Sequence, residues 1–100
     1  MYAKELVSRY AAGQRDFRNL NLIAANLRNI NLSGANLSGT NLAKANLSNS
    51  NLSRANLSDT VLMGANLANT DLTQANLTNV NLEEVDLSAA IVRNTTFSPT

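Results

Sequence analysis

The side chains able to do acid, base or metal chemistry are few. Glu83, Glu84 and Asp86 form the densest carboxylate cluster. Carboxylates that share a site can hold a cation or a proton between them. Glu83 and Glu84 are adjacent in sequence, however, and the simpler expectation for them is a solvated acidic corner. The chain has no cysteine and no histidine. Thiol nucleophiles, imidazole general bases, disulfides and the usual zinc ligand sets are therefore excluded. The four glycines are scattered and make no phosphate-binding loop. No catalytic residue, cofactor or metal site is expected, and the chain reads as a non-enzyme.

The remaining charge is unevenly spread. Net charge is +1 over 100 residues. Residues 1–54 carry seven Lys/Arg against two Asp/Glu, whereas residues 55–100 carry one Arg against five Asp/Glu. The basic half, with Arg15, Arg18, Arg28, Lys44 and Arg54, raises the possibility of nucleic-acid binding. Only Tyr2 and Tyr10 are available there to stack on bases, and both are better used elsewhere, so nucleic acid is not the expected partner. No run of apolar residues approaches the length of a membrane span, and a cytoplasmic location is expected.

The elements that position these groups are set by a period of five. Fourteen leucines occupy every fifth position from Leu22 to Leu87, with Phe17 before them and Val92 and Phe97 after. An α-helix would move each leucine about 140° round its axis per step and form no stripe. A straight strand would send alternate leucines to opposite faces. The period works only if the chain turns a corner once per pentad. Residues two before each leucine are small or β-branched, such as Ala35, Thr40 and Ala45. Those immediately before are mostly Asn, and those after mostly Ser or Thr. Two after come Gly34, Gly39, Asn49, Asp59 and Gly64, which tolerate positive φ. Each pentad therefore reads as a short strand and a corner. Ala fills the small inward position at alternate pentads, from Ala25 to Ala75. That alternation survives stacking only with an even number of pentads per coil, and four is the smallest even number that encloses a core.

The units Ala35-Asn36-Leu37-Ser38-Gly39 and Ala55-Asn56-Leu57-Ser58-Asp59 resemble the A(D/N)Lxx repeat of the pentapeptide-repeat family. The resemblance spans residues 15–99 and implies an all-β solenoid, a right-handed quadrilateral β-helix of about four coils. Residues 1–14 are then a short capping α-helix and linker. The expected core is Phe17, Leu22, Leu27, Leu32, Leu37, Leu42, Leu47, Leu52, Leu57, Leu62, Leu67, Leu72, Leu77, Leu82, Leu87 and Phe97. Phe17 and Phe97 fall on one side of the square and are expected to plug its two ends. Asn side chains repeated in register are expected to form amide ladders between coils.

The solenoid's ends and faces carry the functional expectations. Tyr2, Leu6, Val7 and Tyr10 recur at helical spacing ahead of Gly13 and should lay an apolar face over the first coil. The back offers no comparable helix; Ile91, Val92 and Phe97 lie near it, and Pro99 would blunt the edge. Homodimerisation through this last coil is expected, or else a segment of a longer solenoid. A lateral apolar strip of Ile23, Val61 and Met63 is a second candidate contact. The function expected is a non-catalytic structural or protein-interaction module. The alternative comes from the resemblance, since some pentapeptide-repeat proteins mimic DNA, bind gyrase and confer quinolone resistance. Such mimicry implies an extended acidic face, which the basic first half of this chain lacks.

Overall fold

The computed structural model describes residues 2–98, and Pro99 lies outside them. A helix, α1 (Ala3–Ala11), precedes a solenoid in which two short parallel strands are regular enough to name, β1 (Asn76–Leu77) and β2 (Thr96–Phe97). The other coil contacts are single parallel bridges, from Asp16 with Asn36 through Asp71 with Ile91. Every bridge joins residues 20 apart, so one coil is four pentads, an even number as the alternation of alanines requires. The molecule measures 37 × 23 × 22 Å, and two nearly equal short extents are what a square coil gives.

Most corners are turns closed by a hydrogen bond from residue i+3 to the leucine carbonyl, as from Ala45 to Leu42 at 3.0 Å. The third residue mostly has positive φ, including non-glycines such as Lys44 (60°), Arg54 (59°) and Gln74 (59°). Left-handed backbone costs an L-residue about 1–2 kcal/mol, and in the first three coils the coil-to-coil hydrogen bonds at the corners offset it. Gly39 is required for a second reason. A Cβ there would sit 2.1 Å from the Asn19 amide oxygen, which lies over it from the coil above.

The interior is filled. The central leucines from Leu22 to Leu77 are 0–2% exposed, and Ala35, Ala45, Ala55 and Ala75 pack beside them. Hydroxyls that share the small inward position are satisfied, most of them across the coils. Thr40 Oγ1 donates to the Phe17 carbonyl at 3.0 Å, and Thr70 Oγ1 to that of Leu47 at 2.7 Å. Among the described residues no buried side-chain nitrogen or oxygen lacks a partner.

Two expectations about packing are corrected. Asn side chains do not form ladders between coils. Each Oδ1 instead accepts from the backbone N–H two residues on, as in Asn31 to Ser33 and Asn51 to Ser53, both 2.9 Å. The short amide reaches its own turn with less loss of freedom than it would need to reach the next coil. Asp71 and Asp86 stand in the same slot and make the same bond. The expected core also ends early. Leu82 is 37% exposed, and Leu87 and Phe97 are only partly buried, because the fourth coil is packed on one side only.

One seam departs from the pattern. Elsewhere the corner N–H bonds a carbonyl 19 residues on, as Lys44 does with Met63 at 2.9 Å; Gly64 reaches Glu84 and Asn69 reaches Ala89, one residue further. Gln74 to Arg93 restores the ordinary offset. Val85 stands between the two slipped corners. It occupies the inward column in which Ala25, Ala45 and Ala65 stand, and its extra methyl groups need space that an alanine column does not provide.

Candidate functional site

The first coil is covered. α1 carries an i, i+4 ion pair from Glu5 to Arg9 and ends where Gly13, at φ 102°, reverses the chain. Gly13 N–H donates to the Tyr10 carbonyl at 2.9 Å and Gln14 N–H to that of Arg9 at 3.0 Å, the paired bonds of a Schellman stop. Leu6 is fully buried against the solenoid, with Ala3 and Tyr10 partly buried beside it. The Tyr10 hydroxyl donates to the Ser33 carbonyl at 2.7 Å, and the Arg15 guanidinium lies 3.7 Å from the centre of its ring. These two contacts tie the helix to the coil, and nothing in the five-residue pattern announced them.

Tyr2 and Val7 do not join this face and are corrected. Tyr2 is 86% exposed, and its extended backbone (φ −84°, ψ 150°) places it ahead of the helix. Val7 is exposed because a residue next to Leu6 on a helix points about 100° away from it.

The outer side of the fourth coil is the opposite case. Ile91, Val92 and Leu82 are exposed, and Val85, Leu87, Ala90 and Phe97 are half-covered. Phe17 and Phe97 do share one column, since Leu77 pairs with Phe97 and Asp16 bridges Asn36. Phe17 is buried, whereas Phe97 is not fully covered.

The lateral strip is also present. Ile23 and Met63 are each 49% exposed and Val61 43%, with half-buried Ala43 between them in the same column. Equivalent columns elsewhere carry Ser33, Ser53 and Thr73, or Ser38, Ser58 and Thr78, and these serines pair across coils at 3.0 and 3.1 Å.

Asp16, Asp71 and Asp86 accept from the backbone of their own turns. The Thr73 hydroxyl at 2.6 Å holds the Asp71 carboxyl below its ordinary value, helped by the Thr73 N–H and by the charge of Arg93. Asp16 is lowered in the same way by its hydrogen bonds to Arg18. Among the described residues, no group of three or more Asp or Glu is placed to hold a metal ion. No helix among them is long and apolar enough to cross a membrane.

Three solved structures are similar to this one. The pentapeptide repeat protein alr5209 from Nostoc Pcc 7120 is 34% identical over 99% of this chain and 87% of its own, with a TM-score of 0.61. A pentapeptide repeat protein from the thylakoid lumen of Arabidopsis thaliana is 29% identical over 84% of this chain and 55% of its own, at a TM-score of 0.51. The pentapeptide repeat protein Rfr23 from Cyanothece 51142 shares the fold, with a TM-score of 0.61 at 23% identity over 95% of this chain and 99% of its own. Among curated proteins none matches the chain. The family model for pentapeptide repeats matches residues 21–59 and 60–98, in eight copies. With coils of four pentads, leucine-filled columns and these matches together, the chain belongs to the pentapeptide-repeat family.

Proposed function

We propose that the protein is a non-catalytic structural and protein-interaction module whose fourth coil pairs with a second copy of itself. One observation carries this reading, the contrast along a single column. Leu22, Leu42 and Leu62 are 1%, 0% and 2% exposed, and Leu82 is 37% exposed. With Ile91 and Val92 it forms an apolar surface across one end of a solenoid whose other end is shielded by α1. Strand edges and apolar patches of this kind favour association, and a closed two-fold pair is the commonest way to satisfy them. The filled interior supports the non-catalytic part, since the buried core holds apolar side chains and hydroxyls that are hydrogen-bonded. The right hand of the coil belongs to the same proposal. It is supported by family membership and by the strong right-handed preference of parallel connections. A cytoplasmic location belongs to the same proposal.

Gyrase regulation through mimicry of DNA gains no specific support. Arg15, Arg18 and Arg28 stand on the first coil, and an acidic face running the length of the stack is missing among the described residues. A light-scattering mass across a concentration series tests the proposed pairing. The wild type should move from one to two chains with concentration, and Phe97→Glu should stay at one. A wild type that stays monomeric refutes it.

A further inference from the structure

We propose that the seam between the third and fourth coils is a docking groove for an extended, basic peptide segment, bordering the surface that pairs coil with coil. The seam is stapled at both corners. Asp59 N–H donates to the Thr78 carbonyl and Gly64 N–H to the Glu84 carbonyl, each at 3.0 Å. Between the staples the backbone of the fourth coil bows away from the third. In the coils above, Leu42 N–H bonds the Val61 carbonyl at 2.8 Å and Val61 N–H bonds the Thr40 carbonyl at 3.1 Å. The equivalent bonds, Leu62 to Asn81 and Asn81 to Thr60, are missing among the described residues, and Val61 makes no bridge to Asn81.

The result is a groove of about 400 Å³, within the roughly 300–1,000 Å³ usual for binding sites. Asp59, Val61 and Met63 line it from the third coil, and Asn79, Asn81, Glu83 and Glu84 from the fourth. Lys44 stands one corner above Gly64 and makes no ion pair among the described residues. The groove therefore offers three carboxylates against one lysine. Leu62 is 2% exposed, yet its N–H has no partner. An unpaired buried donor is costly, and a ligand carbonyl would satisfy it. An extended peptide supplies backbone acceptors and donors at strand spacing. Apolar side chains on one of its faces fit Val61 and Met63, and cationic ones on the other fit the carboxylates. In this proposal the valine in the alanine column holds the seam open, which Val85→Ala tests.

The test uses the full chain and two fluorescein-labelled nonapeptides, one alternating lysine with valine and one alternating glutamate with valine. In low salt the basic peptide should bind saturably and at least about tenfold more tightly than the acidic one. Asp59→Lys with Glu83→Lys should weaken it about tenfold or more while the circular dichroism melt is retained. Val85→Ala, which removes no charge, should close the seam and weaken it as well. Binding should slow hydrogen exchange at the Leu62 amide. Three results overturn the proposal: no saturable binding, equal affinity for both peptides, or binding that leaves Leu62 exchange and the Val85→Ala variant unaffected. The last would identify loose charge attraction. A monomeric protein that binds the peptide in this way would leave the groove standing and remove only the proposed coil-to-coil pairing.

Discussion

Leucines of one column should differ in energetic weight according to the layer they occupy. Leu42, Leu62 and Leu82 stack 20 residues apart, and their exposures are 0%, 2% and 37%. Truncating a fully buried leucine to alanine costs about 2–5 kcal/mol, made up of lost transfer energy and the cavity left behind. Leu42, sealed above and below, belongs near the middle of that range, at about 3–4 kcal/mol. Leu82 keeps more than a third of its surface in water when folded and has a packed layer on one side only. Both terms shrink, and Leu82→Ala should cost about 1–2 kcal/mol. For a domain of this size each kcal/mol moves the melting temperature by about 4–8 °C. Leu42→Ala should then melt about 12–32 °C below the wild type and Leu82→Ala about 4–16 °C below it. Circular dichroism melts in dilute solution measure both. Raising the protein concentration adds a second discriminator. If a second copy covers the fourth coil, the Leu82→Ala deficit should grow with concentration and the Leu42→Ala deficit should not. Equal deficits for the two variants in dilute solution would refute the layer-by-layer account of the core.

Three further perturbations probe the corners, the cap and the acidic turns. Gly39→Ala should cost more than Gly34→Ala, because both corners have positive φ but only Gly39 lies under Asn19; adding Asn19→Gly should remove the difference in thermal melts. Tyr10→Phe should lose the bond to the Ser33 carbonyl, costing about 0.5–1.5 kcal/mol in a denaturant titration, and an unchanged midpoint would deny the tether. The Asp71 carboxyl is lowered in the folded state, so the stability it contributes is present above its unfolded value of about 3.9 and is lost as pH falls through the lowered folded value. Melting should be nearly flat between about pH 5 and 7 and fall below about pH 4. Asp71→Asn, which restores the residue found at most equivalent turns, should blunt that acid loss.

Much of the architecture was legible from residue spacing alone. The period of five forced a corner per pentad, and the alternation of alanine at the small inward position forced an even number of pentads per coil. Both are consequences of which side chains fit inside a square stack, and the 20-residue bridges follow. What spacing could not show was how short polar side chains choose among neighbours. Asn offers its oxygen equally to the next coil or to its own turn, and the nearer donor wins on entropy. Tyr2 and Val7 were assigned to the cap by periodicity, but a nine-residue helix over a small coil buries one large side chain, Leu6. The open seam had a signal in Val85, a bulky residue in an alanine column. The one-residue slip in the corner bonds beside it depends on how the chain relaxes there, which composition does not encode. The exposed end was legible as an apolar cluster at Ile91, Val92 and Phe97, while the exposure of Leu82 within an unbroken leucine series was not.

The central claim, that the fourth coil is a surface for a second copy, is tested most directly by small-angle X-ray scattering across a concentration series. One chain has a radius of gyration of 11.9 Å and a long extent of 37 Å. Two chains meeting end to end through their fourth coils make a rod of about 70 Å, with a radius of gyration near about 21 Å, as a two-fold pair along the long axis requires. Pairing side by side through Ile23, Val61 and Met63 would give about 16 Å, because the centres then lie one short extent apart. The account predicts the rod at high concentration and its loss in Val92→Glu, an exposed position whose charge leaves the inner coils untouched. Raising the salt should favour the rod, since it screens Glu83, Glu84 and Asp86 of the facing chains. A radius of gyration that stays at the single-chain value at every concentration, or one that settles at the side-by-side value, would contradict it.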